Sequence, residues 1–397
     1  MVWFTMMSCD TGEAVRWLLD GARSATVAEQ MLQQLCERMV GAGVPLAGAG
    51  FFIRTLYPGL FGRSFIWQGG VEPVVLEFAY DSQESRDLQR SSEVCIRDSA
   101  IAFDPAQEDS CLNLPVFKKL HADAVTAFLA TPIVFANGDV HLAVWTTEQA
   151  GGFTAEQIRN VEALIPPFSR VVEIFALRRR ATVLLDTYVG HATGERILAG
   201  DIHRGHTEAL HAAIWLSDMR GFTELADRLP TDILIRLLNR YFDCQIPAVA
   251  RRGGEVLKFI GDGMLAIFPI AADDGDAKKV CSEALAAAYE ARARIASMEQ
   301  SELGADHAPV RFGVALHVGT VMYGNIGGEN RLDFTCIGPA VNLVARVEKL
   351  TGGLGRTILA SAAFARVSGE PLIPVGDFVL PGFAQPQTVF GLRDEIG

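Results

Sequence analysis

The chain has 397 residues, 49% of them hydrophobic, which is enough material for two domains with separate cores. A formal net charge of −12 argues against nucleic acid or an anionic membrane as partner, because phosphate surfaces are met by basic faces. A single nucleotide survives that objection, since a divalent cation and a few cationic side chains can neutralise a triphosphate locally.

The seven cysteines, Cys9, Cys36, Cys95, Cys111, Cys244, Cys281 and Cys336, are scattered and form no C-x-x-C pair. They read as reduced, buried thiols and point to a cytoplasmic protein. The first residues lack the basic start of a signal peptide, so none is expected. No apolar stretch reaches the roughly 18–20 residues of a membrane span.

In chain order, Ala14 to Met39 has the apolar spacing of one amphipathic helix. Strand-like runs follow at 50–55, 64–67, 130–135 and 140–145, the last two split by an Asn137-Gly138-Asp139 turn. Thr154 and Gln157 form the pattern of a helix start, with Thr154 as N-cap. Residues 171–198 read as helix and carry Arg178-Arg179-Arg180, a solvated helix face on charge pattern alone. Strands are then expected at 210–216, 256–259, 264–268, 310–317, 375–378 and 388–392. Helices are expected at 231–244, with Thr231 as cap, and at 278–298 and 340–350. The β-α-β-β-α-β order within the second half predicts a ferredoxin-like palm, and the whole chain an α+β fold.

Two aspartates stand out. Asp218 ends an apolar run and is followed by Met219-Arg220-Gly221-Phe222-Thr223. Asp262 is the centre of Gly261-Asp262-Gly263, a tight hairpin signal after Lys258-Phe259-Ile260. Two strand-end carboxylates brought together make a site for hard divalent cations, which prefer a few carboxylates plus phosphate oxygens. Paired metals clamping an in-line displacement at phosphorus are a known catalytic solution. A helix starting at Arg220–Thr223 would present backbone N–H groups suited to phosphate. Asn342 and Arg346, four apart in Val341-Asn342-Leu343-Val344-Ala345-Arg346, project from one face of a helix.

These pieces, in this order and with His317–Gly327 as a weaker fourth, resemble the catalytic domain of class III adenylate/guanylate cyclases from about His211 to Leu392. The resemblance implies that Asp218 and Asp262, with the Met219 carbonyl, hold two Mg²⁺ or Mn²⁺ ions per site. It implies that Lys258 reads the adenine edge and that Thr335, seven residues before Asn342, is the second base-reading position. Phe222 and Thr223 would meet the triphosphate at the helix start. Asn342 would orient the ribose, and Arg346 would stabilise charge at phosphorus. The substrate is then ATP and the product cyclic AMP, formed at the interface of a homodimer. One protomer supplies Asp218 and Asp262, and the other supplies Lys258, Thr335, Asn342 and Arg346. The order of elements over the first 175 residues resembles GAF-type sensory domains. The expected organisation is a GAF-like domain at 1–175 under an unknown small-molecule regulator, a helical linker at 176–205 and the cyclase domain at 206–397.

One position departs from the family pattern. Pro381 stands where cyclases often carry a triphosphate-binding lysine, and Arg331 and Arg393 are candidate substitutes. Gly253-Gly254-Glu255-Val256 is superficially similar to the diguanylate cyclase signature but lacks its Asp-Glu-Phe continuation. Competing readings are a guanylate cyclase, a non-catalytic nucleotide-binding protein with a cyclase fold, and a sensor whose first domain dominates. In that first domain His121 and His141 are possible metal or haem ligands, although a lone histidine is more often simply hydrogen-bonded.

Overall fold

The structure, a computed structural model, describes residues 11–57, 59–80, 82–83, 85–86, 101–103, 115–120, 124–271, 274–298 and 310–395. The chain divides into two compact units, Met1–Leu184 and Leu185–Gly397.

In the first unit the expected single N-terminal helix is two, α1 (Gly12–Leu19) and α2 (Ala28–Gly41). The break falls at Gly21 (φ 83°) and Ala22 (φ 50°), both in the left-handed region that ends a helix. No large apolar residue falls between Leu19 and Val27, and Gly21 is the helix-ending glycine that marks the break. Strands β1 (Gly48–Tyr57), β2 (Leu60–Gln68), β3 (Val74–Ala79), β4 (Ile101–Phe103), β5 (Ala127–Val134) and β6 (Val140–Thr147) form one sheet in the order β3-β2-β1-β6-β5-β4. Its neighbours are all antiparallel. The short helix α3 (Pro115–Leu120) and the long helix α4 (Ala155–Val189) complete the unit, whose boundary with the second falls within α4.

The β5–β6 turn is locked by Asn137, whose Oδ1 accepts the Asp139 N–H at 3.0 Å, with Gly138 at φ 87°. The start of α4 is a reciprocal capping box. The Gln157 side chain accepts from the Thr154 N–H at 2.8 Å, and the Thr154 hydroxyl accepts from the Gln157 N–H at 3.3 Å. One sheet face packs Phe51, Phe65 and Trp145 against helix residues such as Leu35, Leu164 and Phe168. The other face gathers Phe52, Phe78 and Phe128. His141 is buried against the Phe135 ring, 4.3 Å between centroids, and its Nδ1 accepts the Arg54 N–H at 3.4 Å. Burial, with Arg54 nearby, lowers its pKa to about 4, so it packs as a neutral ring. His121 lies outside the described residues.

The second unit opens with α5 (His191–Leu198), set off from α4 by Gly190 at φ 87°. Its core order is β7 (Thr207–Met219), α6 (Phe222–Arg228), α7 (Thr231–Ala250), β8 (Glu255–Ile260), β9 (Gly263–Pro269), α8 (Asp274–Ala296) and β10 (Phe312–Gly327). Strand order β10-β7-β9-β8, antiparallel throughout, is the 4-1-3-2 arrangement of a ferredoxin-like palm. Strand β11 (Leu332–Ile337) pairs with the far end of β10. After α9 (Pro339–Gly353), β12 (Ile358–Ser361), α10 (Ala362–Ser368), β13 (Ile373–Phe378) and β14 (Gln387–Gly391) extend the sheet. Strands β7 and β10 run well past the expected 210–216 and 310–317. Strands β11 and β12 and helix α10 were not foreseen as elements. Thr231 does not cap α7; Pro230 holds the N-cap position and Thr231 is the first helical residue.

One face of this sheet buries Trp215, Phe268 and Val314 under α7, α8 and α10. The other buries Ile214, Leu265 and Ala315 under α9, through Val344 and Val347. Cys36, Cys244, Cys281 and Cys336 are free and buried, as expected of structural thiols. Gly313, the ladder partner of Asp218, sits under the side chain of Thr351 from α9. A Cβ there would lie 2.1 Å from Thr351 Oγ1 and 2.8 Å from its Cβ. Gly313→Ala is therefore expected to lower unfolding free energy by about 1–3 kcal/mol through overpacking. Thr351→Ala added to it should recover part of the loss in urea denaturation. An unchanged midpoint for Gly313→Ala would contradict this packing.

Candidate active site

The last residues of β7, a central strand, deliver Asp218 to one end of the sheet, and the β8–β9 hairpin brings Asp262 to it. The two-residue turn has Gly261 at φ 64° in its first central position, a conformation glycine adopts without strain. Gly263 then enters β9 so close to β7 that a Cβ would lie 3.0 Å from the Ser217 carbonyl and 3.1 Å from Asp218 Oδ1. The Gly-Asp-Gly sequence thus does two jobs. The first glycine makes the turn, and the second leaves room for the neighbouring carboxylate.

The consequence is electrostatic. Burial raises the Asp218 pKa from 3.8 to about 7, helped by the charges of Asp262 and of Glu348 on α9 and opposed by the Met219 backbone hydrogen bond. Glu348 is raised as well, chiefly by burial, while Arg220 and Lys349 draw it back. Three acidic side chains therefore converge with Arg220 as the half-buried cation among them. Arg220 donates to the Arg356 carbonyl, but its Nε is buried without a partner. Glu348 was not singled out from the sequence. Its position two residues after Arg346 in the helix motif was the available signal.

The other expected residues fall as follows. Met219 is buried and pairs with Phe312. Phe222 and Thr223 form the first turn of α6, with Gly221 at φ 72° as N-cap; Phe222 packs partly on the core and Thr223 is exposed. Asn342 is exposed and Arg346 half-buried, one turn apart on α9. Thr335 lies on β11 opposite Gly324, eleven residues along β10 from the Asp218 partner Gly313. Its Oγ1 is buried with no hydrogen-bond partner. A register shift in β8 between Val256 and Lys258 marks a bulge. Lys258 Nζ reaches Asp333 Oδ2 at 3.4 Å, two residues from Thr335. Thr335 is thus set well along β10 from Asp218, while Lys258 lies four residues before Asp262 on the same hairpin and only its side chain reaches toward β11. Pro381 is exposed in the turn after β13, Arg331 is exposed between β10 and β11, and Arg393 is exposed after β14.

Among the described residues no cage of three or more His, Cys, Asp or Glu side chains is formed. Hard carboxylate oxygens in a pair fit an ion of the magnesium or manganese class that draws its remaining ligands from a phosphorylated substrate. The raised pKa of Asp218 marks unbalanced negative charge that such an ion would offset.

Residues 206–370 match the family model of the adenylate and guanylate cyclase catalytic domain. Over 172 residues the chain is 32% identical to an adenylate cyclase of Anabaena cylindrica, covering 42% of this chain and 32% of that protein. The second unit carries a class III adenylate/guanylate cyclase catalytic domain. Over 207 residues the chain is 30% identical to adenylate cyclase 1 of Rhizobium meliloti, covering 49% of this chain and 30% of that one. The crystal structure of the adenylyl cyclase CyaB from P. aeruginosa aligns at 25% identity and TM-score 0.41, over 48% of this chain and 100% of that one. The chain spans about a third or less of the length of these curated relatives. Among the described residues of the chain, no helix is long and apolar enough to cross a membrane.

The raised carboxylate of the cyclase domain gives a pH test. Folded Asp218 holds a proton that the unfolded chain has already released above pH 3.8, so its contribution to stability is present below that value and is lost as pH rises through about 7. In chelator, the melting temperature is expected to fall between pH 4 and 8, and Asp218→Asn should flatten that fall and raise the value at pH 8. Magnesium at pH 8 should stabilise the wild type more than the variant. Equal pH slopes in thermal scans of the two proteins would contradict the assignment.

Proposed function

We propose that the protein is an adenylate cyclase that converts ATP to 3′,5′-cyclic AMP and pyrophosphate at the interface of a homodimer. The observation that carries this reading is the convergence of Asp218 and Asp262, two carboxylates whose repulsion calls for divalent cations. The adenylate cyclases of Anabaena and Rhizobium, similar over this domain, support it.

In this reading Asp218, Asp262 and the Met219 carbonyl hold two Mg²⁺ or Mn²⁺ ions. Those ions supply a lowered pKa for the ribose 3′-hydroxyl and countercharge for the triphosphate. Lys258 donates to adenine N1, where guanine carries a proton instead, and the unpartnered Thr335 hydroxyl accepts from the adenine amino group. Asn342 fixes the ribose. The 3′-oxygen gives up its proton, bonds to the α-phosphorus, and the bond to the β-phosphate oxygen breaks, releasing pyrophosphate. Arg346 offers a planar guanidinium to the charge that develops on the phosphoryl oxygens. Arg220 and the first turn of α6 at Phe222 and Thr223 face the phosphates, and Arg220 takes the part of the lysine replaced at Pro381.

The separation of the aspartates from Thr335 along β10 supports a site shared between protomers. The first unit, a sheet with α1, α2 and α4 on one face and α3 on the other, serves in this reading as a GAF-like regulatory domain for a small molecule. Residues 176–205, which include the end of α4 and α5, serve as the linker.

Asp218→Ala and Arg346→Ala are each expected to lose cyclase activity while remaining folded. Mixed and allowed to exchange subunits, they should regain activity, because one of the two sites in each heterodimer keeps every essential residue. Cyclic AMP production in the mixture is the readout. A mixture as inactive as its parents, with heterodimers confirmed, would contradict a shared site.

A further inference from the structure

Strand β8 is the last strand of its sheet and, among the described residues, pairs only with β9, so no ladder holds its other side. It leads into the hairpin of Asp262 and bulges after Val256. Both oxygens of the carboxylate on its first residue, Glu255, are engaged. Oε1 accepts from the Thr193 N–H at 3.3 Å and from the Thr193 hydroxyl at 3.0 Å, and Oε2 accepts from the Tyr323 hydroxyl of β10 at 2.9 Å. Thr193 is the third residue of α5, whose N-cap is Gly190 and has no side chain to cap it. Glu255 therefore supplies, from another strand, the acceptor that a serine or aspartate would supply at the N-cap, and its charge suits the positive end of the helix.

Helix α5 has eight residues, too few to persist without tertiary contacts, and only Thr193 and Gly194 on it are buried. Polar contacts rather than a core hold it. Arg196 pairs with Asp201 at 2.7 Å and with Glu208 at 2.5 Å, and it lies over the Tyr323 and Phe334 rings at 5.6 Å and 5.1 Å. A Cβ on Gly194 would lie 3.1 Å from Leu185 Cβ and from Asp186 Oδ1, so α5 packs directly on the last turns of α4. Such an element opens at lower cost than the sheet beside it.

We propose that Glu255 is a positioning residue: by capping α5 it fixes the unpaired side of β8, and the docked helix keeps the β8–β9 hairpin in the arrangement that catalysis requires. Undocking α5 then lowers turnover without unfolding the domain. The Thr193–Glu255–Tyr323 contact becomes the point at which a change in α4 reaches the hairpin. The inference rests on the cyclase activity proposed above.

The test combines hydrogen exchange, read by mass spectrometry, with cyclase kinetics on the full-length protein. It compares wild type, Glu255→Leu, Glu255→Gln, Thr193→Val and the double variant of Thr193→Val with Glu255→Leu. In Glu255→Leu the amides of α5 are expected to exchange about tenfold faster, while those of β7 and β9 keep the wild-type rate. Its kcat should fall about three- to tenfold, because the hairpin is no longer held in place. Glu255→Gln should recover part of both changes, since its amide oxygen still accepts from Thr193. Thr193→Val should act in the same direction on its own and add nothing to Glu255→Leu. Should Glu255→Leu fail to fold, Thr193→Val carries both readouts. Unchanged exchange in α5 would overturn the proposal, because the carboxylate then does not hold the helix. Faster exchange in α5 with wild-type kcat would overturn it by removing the link to catalysis. Faster exchange in β7 and β9 as well would point to a general structural role and overturn it too. Any of these results with an active wild type leaves the cyclase reading standing. A wild type that forms no cyclic nucleotide from ATP or GTP removes that reading, and this inference with it.

Discussion

Two carboxylates of like charge held together in a half-buried setting are costly to the fold, and much of the second unit is arranged around that cost. Asp218 cannot move away, because the β7 strand that carries it pairs along its length with β10. Asp262 is fixed by a two-residue turn. Between them Gly263 gives up its side chain so that the strands can close. Glu348 adds a third negative group, and the half-buried Arg220 offsets only part of the sum. A protein stabilised only by its packing would gain from replacing any of these acids. In the proposed reading, their gathering at one end of the sheet calls for a bound cation that would arrive with a phosphorylated substrate.

The same sheet sets Thr335 well away from Asp218 along β10, while Lys258 stays on the hairpin that carries Asp262. Strands β7 and β10 are long enough to carry separate sites at their two ends. Strand β11, laid on the far end of β10, brings Asp333 and Thr335 to Lys258. In the proposed dimer each protomer then offers half of two sites. Activity would depend on the relation between protomers, and any element that alters it, such as α4 and α5, becomes a lever for regulation.

Much of this was legible in the sequence where the signal is local. The Gly-Asp-Gly turn, the Thr154–Gln157 capping box and the one-turn spacing of Asn342 and Arg346 each follow from a few adjacent residues, and their local structure is as read. What escaped depends on distant partners. The break between α1 and α2 is the exception, since Gly21 and the stretch to Thr26, free of large apolar residues, mark it locally. Strand β10 extends beyond the expected 310–317 because β7 and β11 pair with its second half, and neither partner is readable from β10 itself. Glu348 and Asp333 look like ordinary charged residues until the fold places one beside Asp218 and the other beside Lys258. The same limit applies to the cap of α7, where Pro230 took the position that residue type alone would give to Thr231.

The most direct measurement is product identification with purified full-length protein. It would be incubated with ATP or GTP and with magnesium or manganese, and the nucleotides separated by chromatography, for wild type and Asp262→Ala. The account predicts cyclic AMP and pyrophosphate in equal amounts from the wild type, faster turnover of ATP than GTP, and no cyclic product from Asp262→Ala. Absence of cyclic nucleotide from the wild type, a preference for GTP, or undiminished turnover in Asp262→Ala would contradict it.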